Sequence, residues 1–261
     1  MIELPKTPRK PLSTNPSTLI LYASPKAGKT TIAAQLPNSL ILELEPNGAN
    51  FVEGTIMDID KASVFDATLD AIIEAGCPYE YLIIDTVTML DTWSEIVGTY
   101  NYMNKPQGKK FNRVNEDPRG KMITHLEKEF VTVHELANGS GYQHSRDQMI
   151  RWYDKIIKAA PHVIFLAHIK DKFIEAKQSG DTVEAMDINL TGKVKSIYTS
   201  RVDAVGHLFR RGGKAIINFN NENSIICGGR CSHLTGEVEI SEKMPDGSIK
   251  TYWNKIYLPK K

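Results

Sequence analysis

The residues Ala23-Ser24-Pro25-Lys26-Ala27-Gly28-Lys29-Thr30 are where residue type and spacing in this chain most clearly suggest chemistry. Gly28 lets backbone N–H groups approach an anion closely, and a helix beginning at Lys29 adds the positive end of its dipole. Lys29 then has the reach for the β- and γ-phosphates of a nucleoside triphosphate, and the Thr30 hydroxyl is a magnesium ligand. Ala23, Ser24, Pro25, Lys26, Ala27, Gly28, Lys29, Thr30 and Thr31 are therefore the candidate nucleotide-binding residues, with ATP and Mg2+ as the implied ligands. The spacing is that of a Walker A loop with one departure. Ala23 replaces the first glycine, and a small residue there still allows a tight turn. A Gly-Lys-Thr that merely starts a helix is the competing reading. The apolar run before the loop and the helix after it argue for the phosphate loop.

Two carboxylates extend this chemistry. Asp85 closes the apolar run Leu82-Ile83-Ile84 and resembles the Walker B aspartate, which holds magnesium together with Thr30. Hydrolysis also needs a group to orient or deprotonate the attacking water. Many P-loop ATPases place a glutamate directly after that aspartate, but here the next residue is Thr86. Glu43 and Glu45 share one face at the end of another strand, and Glu45 lies nearer its carboxyl end, so Glu45 is the expected base.

The elements that must position these groups are legible as alternating patterns. Residues 18–22 form a buried strand, 29–36 a short helix and 39–45 a second strand, followed by a short strand near 55–59. Ser63 is the expected cap of a helix with Phe65, Leu69, Ile72 and Ile73 on its apolar face and Gly76 at its end. Residues 81–85 form a strand, 89–101 a helix, and 103–121 a polar loop. A helical stripe (Ile123, Leu126, Phe130, Val133) precedes a helix whose capping box is Ser145 and Gln148. Residues 163–167 form a buried strand ending at His168. A polar stretch over 171–200 then leads into short alternating runs with β-hairpin turns. The expected fold is α/β, a mostly parallel central sheet flanked by helices with a C-terminal β-hairpin extension. The expected organisation is a flexible segment over 1–16, a core over 17–200 and a β-rich extension over 201–261 packed on the core. Ligands of such a sheet bind beyond the carboxyl ends of its strands, where the 23–30 loop, Glu45, Asp85 and His168 all fall.

With ASPKAGKTT, LILELEPN, LIIDTVTML and HVIFLAHIK in hand, residues 17–235 resemble a RecA-like P-loop ATPase core. Within that class the chain is similar to phage-encoded AAA-type nucleotide-binding proteins, some of which act as single-strand annealing proteins in recombination. The resemblance implies that Glu45 is the catalytic glutamate and Asp85 the magnesium-linked aspartate. It also implies that His168 is the polar group that feels the γ-phosphate and reports it to the following loop. It further implies a DNA-stimulated ATPase that assembles into a filament or ring.

Charge is unevenly spread. The net charge is +1, yet residues 103–121 carry +4 and residues 191–214 carry +5, leaving −8 for the rest. Phe111 and Tyr198 lie among these cations. Cations interleaved with aromatics suit single-stranded nucleic acid, so Lys109, Lys110, Arg113, Lys193, Lys195 and Arg201 are the candidate DNA-binding residues, although solvated basic loops have the same composition. Arg201, Arg210, Arg211 and Arg230 are candidates to reach a neighbouring subunit's γ-phosphate.

A chain of 261 residues with 41% hydrophobic and 24% charged residues is an ordinary globular composition. No apolar run is long enough to span a bilayer, and the first residues lack the apolar core of a secretory signal. Three cysteines suit a reducing cytoplasm, that of a bacterial host if the chain is phage-encoded. Cys227, Cys231 and His233 have no standard zinc spacing. The functional expectation is a single-strand annealing or recombination ATPase. The alternatives are a small-molecule P-loop kinase and a nucleotide-dependent replication or helicase-loading scaffold.

Overall fold

The computed structural model describes residues 4, 6–109, 111, 131–175, 182–221 and 225–259. Its elements run β1 (Thr18–Ala23), α1 (Lys29–Ala33), β2 (Ser39–Glu43), β3 (Ile56–Asp58), α2 (Ala62–Glu74), β4 (Tyr81–Asp85) and α3 (Val87–Met103). They continue with α4 (Tyr142–Ile156), β5 (His162–Glu175), β6 (Thr182–Ile188), α5 (Gly192–Arg201) and β7 (Ala204–Arg211). The last are β8 (Lys214–Asn218), β9 (Gly228–Gly229), β10 (Glu237–Lys243) and β11 (Ile249–Thr251).

The sheet order is β11-β10-β8-β7-β1-β5-β4-β2-β3, with β6 beside β5 and β9 beside β7. From β7 to β3 neighbouring strands are parallel, and β8, β10 and β11 extend the same sheet antiparallel. The expected α/β class with a mostly parallel, helix-flanked sheet is therefore the fold found. The sheet runs on past residue 200, because β7 pairs with β1. One strand, β5, separates β1 from β4.

β1 explains why this sheet must be central. All six of its residues are buried, as a parallel strand covered on both faces requires. Its alternate side chains feed two cores. Ile20 and Tyr22 join Phe65, Leu69, Leu90, Met149, Trp152 and Tyr198 from α2 to α5. Leu19, Leu21 and Ala23 join Ile32 of α1 with Trp253, Ile256 and Tyr257 near the C-terminus. The Trp253 indole donates to the Ile32 carbonyl at 2.9 Å, so the C-terminal segment buttresses the short helix after the phosphate loop. At the opposite end of the chain, the Asn15 side chain bonds the Leu258 backbone in both directions.

Three local expectations are corrected. Ser63 lies inside the first turn of α2, whose N-cap is Lys61 without a side-chain cap bond, whereas Gly76 at φ +77° does end the chain's helical run. Ser145 is likewise inside α4 and bonds His134 Nε2 at 2.6 Å, so no capping box forms with Gln148. A hydroxyl caps only from just outside the helix. The strand expected over 163–167 instead runs from His162 to Glu175. β5 outruns its neighbours in the main sheet and folds back on β6 as an antiparallel arm, after which α5 forms. The arm carries no continuous apolar run, because Lys170, Asp171, Lys172 and Glu175 interrupt it. The helical stripe at Ile123, Leu126 and Phe130 lies outside the described residues.

Candidate functional site

The parallel register brings the candidate groups to one edge of the sheet. Ala23, where the phosphate loop begins, is opposite His168, and Asp85 is opposite both Glu43 and Leu166. Beyond this edge lies a cavity of about 390 Å³. Pro25, Lys26, Gly28, Lys29, Thr30 and Thr31 line it, facing Glu43, Glu45, Asp85, Thr86 and His168. A larger groove of about 670 Å³ lies between β3 and α2, but no acid or cation lines it.

The loop makes its own cradle. Lys26 and Gly28 take positive φ, +64° and +94°, which turns successive N–H groups toward one side. Gly28 suits this left-handed conformation, which side chains rarely adopt, and a Cβ there would push the exposed Arg210 guanidinium aside. Lys29 is buried, and its Nζ curls back to donate to the carbonyls of Ala23 at 3.3 Å and Ser24 at 3.4 Å. Burial pushes its pKa down, while Asp85 and Glu45 pull the other way. A buried ammonium held by carbonyl oxygens is under-compensated, and a phosphate would supply the missing charge.

The carboxylates are sorted by their partners. Thr30 Oγ1 donates to Asp85 Oδ2 at 2.5 Å, which places a hydroxyl and a carboxylate side by side. Glu45 Oε1 accepts from Thr86 Oγ1 at 2.6 Å and lies 2.7 Å from His168 Nε2. The bond from His168 is the main reason Glu45 is held below the usual carboxylate range. Glu43 turns instead to its own loop. It accepts from the Ala49 N–H at 2.7 Å, and burial raises its pKa. Glu45 and Glu43 are thus separated by environment, and only Glu45 meets the polar cluster. The His168 N–H donates to Thr88 Oγ1 at 3.1 Å, and its Nδ1 is buried without a partner among the described residues. The left-handed cradle, the buried lysine and the paired oxygen donors fit a magnesium–triphosphate. Oxygen ligands are what a hard divalent cation takes.

Asp85 is 5% exposed, and burial raises its pKa despite the Thr30 bond. Its charge therefore costs the fold stability once the pH exceeds the unfolded-state value, and the cost disappears in acid. Asp85→Asn is expected to raise the melting temperature of the nucleotide-free protein at neutral pH by about 2–4 °C. The gain should fade as the pH drops through the folded-state pKa. A pH series of thermal melts checks this, and an unchanged or lower melting temperature at pH 7 would refute it.

Other candidates are dispersed. Lys195 pairs with Asp187 at 2.5 Å, and Arg201 pairs with Asp154 at 2.9 Å. Lys193 lines a separate groove, and Lys109 is exposed beyond α3. Lys110 and Arg113 lie outside the described residues. Tyr198 is fully buried, and its hydroxyl donates to the Met149 carbonyl, so it offers no surface for a base. Phe111 packs edge-on against Tyr102. Of the four arginines expected to serve a neighbouring subunit, Arg211 pairs with Glu237 and Arg230 with Asp203. Arg210 instead donates from Nε to the Ala27 carbonyl of its own phosphate loop at 2.9 Å.

An anion cradle on the loop that follows the central strand β1, next to a strand-end aspartate two strands away on β4, defines a P-loop nucleoside-triphosphatase. The chain belongs to the AAA domain family, whose model matches residues 15–231. Among solved structures, the RadB recombinase aligns with a TM-score of 0.45 at 10% identity, covering 92% of each chain. A KaiC-like protein, PH0186 from Pyrococcus horikoshii OT3, aligns with a TM-score of 0.41 at 11% identity, covering 90% of this chain and 89% of that one. No curated protein matches the chain. Among the described residues no helix is long and apolar enough to cross a membrane.

Proposed function

We propose that this chain is a RecA-like ATPase that binds single-stranded DNA and promotes recombination or annealing as a filament or ring. The observation that supports this best is a further cavity of about 680 Å³. It lies where α4 and α5 both begin, and its lining includes Tyr142, Arg146, Lys170, Thr191, Gly192 and Lys193. Two helix N-termini and three cations suit backbone phosphates. Tyr142, 44% exposed and stacked on His134, offers a face to a base.

Two connections run from the cluster to this groove. Along β5, His168 touches Glu45, and Lys170 follows two residues later. Along α3, Thr86 donates to Glu45, and the buried Asp91 accepts from the Thr191 N–H at 2.6 Å. A shift of Glu45 or His168 on meeting a γ-phosphate therefore moves groove residues directly, which is how nucleotide state and DNA binding become linked.

In this reading, Lys29 and the loop amides would hold the β- and γ-phosphates, and Thr30 and Asp85 would hold magnesium. Magnesium held by Thr30 and Asp85 would supply positive charge against the phosphate oxygens. Glu45, ionised and oriented by Thr86 and His168, takes the proton of the attacking water. Neither described bond uses its Oε2, the oxygen assigned to that proton.

The test is ATP turnover with single-stranded, double-stranded and no DNA. Stimulation by single strands is expected, and equal turnover in all three at low salt would sink the proposal. The triple variant Arg146→Ala, Lys170→Ala, Lys193→Ala should weaken single-strand binding and lower the magnitude of the log affinity–log salt slope by about 2. Fluorescence anisotropy over a salt series measures both, and an unchanged slope would move the DNA site elsewhere.

A further inference from the structure

The phosphate loop has two flanks. Glu45, Asp85, Thr86 and His168 lie on the side of β1 occupied by β5, β4 and β2. On the opposite side runs β7, and from its end Arg210 reaches back over the loop. Its Nε–H donates to the Ala27 carbonyl, and its terminal nitrogen lies 2.4 Å from where a Cβ on Gly28 would sit, so a side chain there would push the guanidinium off the loop. A residue without a side chain and a guanidinium thus share one space. The Nε bond uses one of five N–H donors, and no other bond from Arg210 is described among the described residues. The next residue, Arg211, alternates to pair with Glu237 and lies over Phe209, so the two arginines are committed differently.

With its γ end at the acidic flank, a bound triphosphate would extend its nucleoside end toward the other flank. We propose that Arg210 binds the nucleoside-proximal phosphates of the nucleotide in cis, contacting the α- and β-phosphates while Nε anchors it to Ala27. This inference rests on the nucleotide reading above and deepens it. Guanidinium suits the task because its fork matches phosphate oxygens and keeps its charge at every working pH. The contact is made to atoms common to ADP and ATP. Arg210 therefore sets affinity for both, unlike a group that feels only the γ-phosphate. It also acts within one subunit, unlike an arginine offered to a neighbour.

The experiment is calorimetric titration of dilute protein with MgADP and with the magnesium complex of a non-hydrolysable ATP analogue, using wild type, Arg210→Ala and Arg210→Gln. Arg210 is exposed, and a thermal melt without nucleotide checks that each variant folds. Both variants should lose about tenfold in affinity for both nucleotides, because each lacks the charge. Unchanged affinity overturns the proposal. Loss for the triphosphate analogue alone also overturns it, as that is a γ-phosphate sensor. Full recovery in Arg210→Gln, which can still donate to Ala27, reduces Arg210 to a prop for the loop and overturns it too. If wild type binds neither nucleotide, the nucleotide reading itself fails and takes this role with it, an outcome distinct from the other three.

Discussion

Glu45→Gln is expected to lower ATP turnover by about 10²–10⁴-fold, the range for losing a positioned general base, while nucleotide affinity stays near wild type. Glutamine keeps the shape, and its Oε1 can still accept from Thr86 and His168, so the cluster holds together. It cannot take a proton from water. His168 is the largest reason Glu45 lies below the ordinary carboxylate range, so Glu45 is ionised and competent at neutral pH and remains so into mild acid. The acid limb of turnover should therefore lie below that of an unperturbed glutamate. Removing the donor, as in His168→Ala, raises the pKa of Glu45 and shifts that limb to higher pH. The same bonds stabilise the fold above the unfolded pKa of Glu45, and that stability is lost as the pH falls through the lowered folded value. Steady-state turnover across pH, paired with calorimetric binding, separates the two roles. Wild-type turnover in Glu45→Gln would mean that the base lies elsewhere.

Lys29→Ala should abolish the nucleotide's effect on stability while leaving the fold intact. Wild-type protein at a nucleotide concentration of 100 times its dissociation constant gains about 2.7 kcal/mol, which appears as a rise of several degrees in melting temperature. The variant should show no rise at the same concentration. Lys29 is the one buried cation of the loop, and its pKa is lowered chiefly by burial, which marks an ammonium short of counter-charge. A phosphate supplies that charge in a site where its interaction is little screened by water. Without nucleotide, replacement removes two long bonds to carbonyls and a buried charge, so the unliganded melting temperature should hold or rise slightly. A thermal shift equal to wild type would show that Lys29 does not hold the nucleotide.

Much of the site was readable because its signals are local. The spacing from Ala23 to Thr30 puts a glycine, a lysine and a threonine at the turn between an apolar strand and a helix. An aspartate that ends an apolar run must lie at a strand's edge. Preference for Glu45 over Glu43 also followed from position along a strand, and their surroundings differ in that sense. Cap residues were read less well. Ser63 and Ser145 have the right type, but each helix begins earlier than its serine, and nothing local distinguishes those frames.

The cations show the limit most clearly. Lys193, Lys195 and Arg201 are alike in a charge count, yet Asp187 takes Lys195, Asp154 takes Arg201, and Lys193 lines the groove. Tyr142, Arg146 and Lys170 were not singled out because they lie in three separate stretches that only the packing of α4, β5 and α5 brings together. Lys170 carried one usable signal, its place two residues after the strand-end His168.

By itself, then, the order of amino acids determined the strand–loop–helix that cradles an anion and the alternation that makes the sheet parallel and buried. It also determined which acidic groups reach the sheet's working edge. These follow from steric and hydrophobic rules acting over a few residues. Only the tertiary structure decided the partners: Glu45 with Thr86 across 41 residues, Glu45 with His168 across 123, and Arg210 with Ala27 across 183. Such pairings depend on strand order and on how each charge competes for burial and hydrogen bonds, and no short stretch of chain encodes that competition.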